Sequence, residues 1–155
     1  MHTVLYCSPS GVVYETRAYS KADIDKLVAT QGLHCLSSAD RQFDFWFAAA
    51  PRKCQRQTNT VATELLMATT NFTARTVPLL LGCVVIATHD SDGDLDGLSW
   101  QQLDLLAATN RSITGRQARI LAGRVARDVR KQRPSADRSG DRLIPAQPRQ
   151  LASVE

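Results

Sequence analysis

The chain has 155 residues, 43% of them hydrophobic, and its 19 Lys+Arg against 15 Asp+Glu give a formal charge of +4. That length supports one domain with appendages and a sizeable core. The longest apolar run, residues 77–87, is interrupted by Pro78 and Gly82 and falls well short of the ~20 residues that a membrane-spanning helix needs, so no membrane-spanning helix is expected.

In chain order, "TVLYC" and "VVYETR" flank the turn residues Pro9 and Gly11 and predict a hairpin over residues 3–17. The opening "MHTVLYCSPSG" lacks the basic-then-apolar pattern of an export signal, so a soluble, cytoplasmic protein is expected. Ser20, Asp23, Ile24, Leu27 and Val28 predict a helix, with Gly32 as a left-handed stop. "LHCLSS" and "RQFDFWFAAA" read as strands, the second placing Phe43, Phe45 and Phe47 on one face. A basic loop with Arg52, Lys53 and Arg56 becomes helical near Asn59, where Val61, Leu65 and Leu66 recur at helical spacing. Residues 83–88 form an unbroken apolar strand, expected to be buried on both faces.

Further on, Ser99 and Gln102 make a capping box, and Leu98 with Leu103 a hydrophobic staple, for a helix ending near Asn110. Thr114 can cap a last helix that runs until Arg133 and Pro134. The element order predicts an α+β fold, an antiparallel-rich sheet with helices on one face. Residues 1–97 form its core domain, 98–133 a helical pair and 134–155 a disordered tail poor in apolar residues.

Candidate sites come from three patterns. Asp90, Asp92, Asp94 and Asp96 stand at alternate positions before Gly97, as in the first half of a calcium loop. Counting from Asp92, however, position 12 is Leu103 rather than a bidentate glutamate, so Asp92, Asp94 and Asp96 are weighed as metal ligands and set below a solvated turn. No metal and no cofactor is expected. His34 beside Cys35 and His89 beside Asp90 are read as structural, and four cysteines without a C-x-x-C spacing as free thiols, most of them buried. No catalytic constellation emerges, so the protein is expected not to be an enzyme.

The third pattern is charge. Residues 1–110 hold 8 Lys+Arg against 11 Asp+Glu, whereas residues 111–133 hold 8 against 1. At about 100° per residue, Arg116, Arg119, Arg124, Arg127, Arg130 and Lys131 fall within one half of the last helix. Ala118, Leu121, Ala122, Val125 and Val129 fall opposite, and Ile120 is the one apolar residue among the cations. DNA or RNA is the partner this footprint favours, since guanidinium forks match phosphate geometry. Neutralisation by the aspartates within the chain, and a protein-interaction or structural role, are the alternatives. A sharper form is a helix-turn-helix with Arg116, Gln117 and Arg119 reaching base edges.

Asn59, Ala62, Thr63 and Leu65, followed by Gly82, Val84, Val85, Asp92 and Gly93, resemble a small domain of unknown function found in actinobacteria and their phages. The resemblance covers residues 59–97. It implies an α+β core and a phage or mobile-element origin, and it brings no catalytic residues.

Overall fold

The computed structural model describes residues 1–28, 32–49 and 56–131, so the expected disordered tail, Cys54, Arg52 and Lys53 lie outside the described residues. Six strands alternate with helices: β1 (His2–Cys7), β2 (Val13–Ala18), α1 (Lys21–Val28), β3 (Leu33–Ser37), β4 (Asp44–Ala48), α2 (Thr60–Thr69), β5 (Val84–His89), β6 (Leu95–Asp96) and α3 (Trp100–Arg111). A last helix, α4, spans residues 115–131. The sheet runs β2-β1-β5-β4-β3, with β6 continuing along β5, and every pairing is antiparallel. The α+β class expected from the sequence is the class observed.

β5 enters between β1 and β4, pairing Ile86 with Leu5 on one side and with Phe45 on the other. Successive residues of a strand point to opposite faces. Leu5, Cys7, Val84 and Ile86 therefore join one core with Phe43, Phe45 and Phe47, under α2 and α3. Val4, Tyr6, Val85 and Ala87 join a second core, under Ile24 and Val28 of α1.

Helices thus cover both faces, which corrects the expectation of helices on one face. The physical reason is β5 itself: residues 84–88 are all buried, so each face must have its own cover. The three phenylalanines do share one face, as their alternation predicts. The Gly32 carbonyl accepts the Ala49 N–H at 3.0 Å and opens the β3–β4 pairing.

The start of α2 is held by a buried polar network. Asn59 caps the helix, its Oδ1 accepting the Ala62 N–H at 3.1 Å. Its Nδ2 donates to the carbonyls of Cys7, at 2.9 Å, and Gly82, at 2.8 Å. Thr63 Oγ1 donates to the Asn59 carbonyl at 2.8 Å and accepts the Leu80 N–H at 3.0 Å. Gly82 sits at φ +74°, which any residue with a Cβ adopts only at a cost. One side chain thus ties α2, β1 and the approach to β5 together.

The compact unit extends from Met1 to Leu121 rather than to residue 97. Leu98, Leu106 and Leu121 are buried in the same core as the sheet, with Leu103, Ile113 and Ile120 packed against it. Ser99 and Gln102 form the expected capping box, at 2.9 and 3.2 Å, and Leu98 and Leu103 flank it as a staple should.

Replacing Asn59 by Ala removes a cap, worth about 1 kcal/mol, and leaves two buried carbonyls without a donor at about 1–3 kcal/mol each. Asn59→Ala is expected to lower the unfolding free energy by about 3–7 kcal/mol in urea titration. Asn59→Asp keeps the cap acceptor but aims a carboxylate at the same carbonyls, so it is expected to be no better. A loss of less than 1 kcal/mol in both would remove the network from this role.

Candidate nucleic-acid interface

α4 begins as the sequence predicts. The Thr114 hydroxyl accepts the Gln117 N–H at 3.2 Å, and Gln117 Oε1 accepts the Thr114 N–H at 3.0 Å, a second capping box. Only residues 112–114 separate it from α3, fewer than the five-residue turn expected. The box has a consequence for the helix-turn-helix reading. The Gln117 side chain is committed to the cap and half-buried, so it is not free to read a base edge.

The helix is rotated from the expected orientation. Leu121 is buried and Ile120 packs against the core, whereas Ala118, Ala122 and Val129 are exposed and Val125 is half-buried. Around the wheel the enclosed direction centres at about 100°, close to Gln117, instead of at about 180°. Burying an Ile side chain is worth about 1.5–3 kcal/mol, far more than an Ala methyl, so Ile120 and Leu121 together set the rotation. Ala118, Ala122, Val125 and Val129 outnumber these two residues on the wheel but bring less apolar surface each.

The cations divide accordingly. Arg116 and Arg119, in the first unit, are exposed. Farther along the helix Arg127, Arg130 and Lys131 are exposed, and Arg124 is half-buried. Arg119 and Arg130 each donate Nε to the carbonyl four residues back, Gly115 at 3.3 Å and Ala126 at 3.4 Å. His2 pairs with Asp96 and His89 with Asp44, and neither pair involves Arg116, Arg119, Arg127, Arg130 or Lys131.

The aspartates are engaged otherwise. They form the β5–β6 hairpin turn, a strand pair the sequence reading missed because it assigned these residues wholly to a solvated loop. Asp90 Oδ1 accepts the N–H groups of Asp92 at 2.9 Å and Asp94 at 3.0 Å, and Gly93 takes φ +82°. Asp92 and Asp94 are exposed on the turn, while Asp96 Oδ1 accepts the Gly97 N–H at 2.8 Å and stands 3.6 Å from His2 Nδ1. The three do not converge, and among the described residues no group of three or more His, Cys, Asp and Glu is placed to hold a metal ion.

Two features were not legible beforehand. Asp44, buried at the start of β4, accepts Ser37 Oγ at 2.7 Å and His89 Nδ1 at 2.7 Å, joining the ends of β3, β4 and β5. Only the register, Ser37 opposite Asp44 opposite Ala87, brings them together. Near them Cys35 is exposed rather than buried, yet burial of its thiol against the sheet, and then the Asp44 carboxylate, push its pKa up to about 11. It is protonated at neutral pH and a poor nucleophile. His34 is exposed too, its ring edge-on to Phe47 with centroids 5.9 Å apart.

The second feature is a groove of about 500 Å³ floored by Leu5, Val61, Leu65 and Leu106. Glu15 of β2 and Asp104 and Arg111 of α3 line it, as does Trp100, which is 69% exposed.

Comparison with known proteins returns no matching family model, no matching curated protein and no matching solved structure. Among the described residues no helix is long and apolar enough to cross a membrane.

His89→Ala deprives a buried carboxylate of one of its two side-chain partners and is expected to cost about 1–3 kcal/mol of stability. Adding Asp44→Asn, whose neutral amide needs no charge partner, is expected to recover part of that loss. Two additive losses in chemical denaturation would show that the pair is not coupled.

Proposed function

We propose that this protein binds nucleic acid through the exposed cations of α4, as a binding protein and not an enzyme, in a reducing cytoplasmic setting. The observation that carries the reading is that Arg116, Arg119, Arg127, Arg130 and Lys131 all face solvent and that neither the His2–Asp96 nor the His89–Asp44 pair involves them. Arg116 with Arg119, Arg127 with Arg130, and Arg127 with Lys131 stand three or four positions apart. Each such pair costs a few tenths of a kcal/mol by repulsion, so a row of phosphates stabilises the helix as it binds. Planar guanidiniums grip phosphate oxygens in pairs, which suits arginine better than lysine here.

The commitment of Gln117 to the cap favours backbone contact over base readout, so affinity for unrelated sequences should be similar. An exposed, unpaired Cys35 suits a compartment that keeps thiols reduced. The resemblance of residues 59–97 to the actinobacterial and phage domain adds a mobile-element setting.

Filter binding of oligonucleotides across a salt series tests this. Neutralising about five phosphates gives a log-log slope of about −4 to −5 on duplex DNA, and Arg116→Gln or Arg127→Gln should each reduce it by about 1. Arg124→Gln, at a half-buried position, should change it least. Binding that does not vary with salt, or no binding at low salt, would contradict the proposal.

A further inference from the structure

The sheet ends in two edge strands, and one of them is poorly protected. β2 pairs with β1 along six residues without a break in register, and it contains no proline, glycine or lysine. Natural edges are blunted by charged side chains, lysine above all, by proline, by bulges or by shortness, because the outward N–H and C=O groups otherwise template another strand; of these devices β2 has only the charges of Glu15 and Arg17, which are opposite in sign. Large apolar side chains also gather here: Val12, Val13, Tyr14 and Tyr19 are 39–70% exposed, on β2 or beside it.

The charges on β2 are equally unsatisfied. Glu15 and Arg17 lie on the same face two residues apart, opposite Leu5 and Thr3 of β1. Arg17 makes only a weak 3.6 Å contact from Nη1 to Met1 Sδ, and neither residue forms an ion pair among the described residues.

We propose that β2 is a self-association edge, through which two copies pair antiparallel about a two-fold axis at Thr16 and join their sheets into one. The charges select that register. In a two-fold pairing the numbers of opposed residues have a constant sum, so an axis at Thr16 sets Glu15 opposite the partner's Arg17, and by symmetry Arg17 opposite the partner's Glu15. Both pairs are attractive and directly across, with Cα atoms about 4.5–5.5 Å apart. An axis at Glu15 would oppose two carboxylates, and one at Arg17 two guanidiniums. The chosen register also sets Val13 opposite the partner's Tyr19 and Tyr14 opposite the partner's Ala18, so exposed apolar surface is covered. A second copy is the occupant this edge fits, since it alone brings the complementary charges in mirrored order.

Sedimentation velocity over a concentration series, on the full chain, is expected to show a reversible dimer. Glu15→Arg and Arg17→Glu should each raise the dimer dissociation constant roughly tenfold or more, because each turns two attractions into two repulsions. The double variant Glu15→Arg, Arg17→Glu should restore dimerisation. Independently, Thr16→Cys places two thiols across the axis within disulfide reach. Mild oxidation should crosslink it faster than the parent chain, whose own cysteines set the baseline, whereas Glu15→Cys should stay at that baseline. Circular dichroism reports whether the reversal variants fold, and if one does not, the crosslinking comparison decides. A parent that sediments as a monomer throughout, a dimer that neither reversal weakens, or a Thr16→Cys chain that crosslinks no faster than the parent overturns the proposal.

Discussion

The amide of Asn59 holds the molecule at its least forgiving point. β5 is the innermost strand and completes the sheet only by entering between β1 and β4. Its approach through Gly82, the end of β1 at Cys7 and the first turn of α2 all converge on that one buried side chain. In an apolar interior each of these backbone groups would otherwise go unpaired, which makes the convergence a constraint on geometry more than a source of net stability. Once it is satisfied, α2 lies over Leu5, Phe45 and Ile86, α3 follows with Leu98 and Leu106, and Ile120 and Leu121 seat the start of α4 on the same core.

Local chemistry was readable wherever a short stretch decides its own conformation. The first hairpin, the capping box at Ser99, the cap at Thr114 and the alternation of Phe43, Phe45 and Phe47 were all legible, because turns, caps and period-two patterns act over a few residues. Asn59, Thr63 and Gly82 belong to one hydrogen-bonded unit, although Gly82 lies some twenty residues beyond the other two. The distribution of helices over two faces was implied by the burial of β5 but was not drawn from it. β6 was hidden because aspartates and glycine dominate the segment, although only two residues need pair.

Long-range features were not legible at all. Ser37, Asp44 and His89 come from three strands, and no spacing announces their meeting. The rotation of α4 turned on Ile120, whose single large side chain outweighs several alanines, and the wheel alone treats all apolar residues alike. That rotation half-buries Arg124 and leaves Arg116, Arg119, Arg127, Arg130 and Lys131 in water. The charge asymmetry of the chain was plain from its composition; which of its cations are available was a question for packing.

The central claim is that those cations are the anion-binding surface. A titration of isotope-labelled protein with a short oligonucleotide, followed by amide chemical shifts, tests it most directly. The account predicts perturbations concentrated in residues 115–131 that fade as salt is added, with β3, β4 and α1 unmoved. Shifts centred on the groove beside Trp100, or none at low salt, would contradict it.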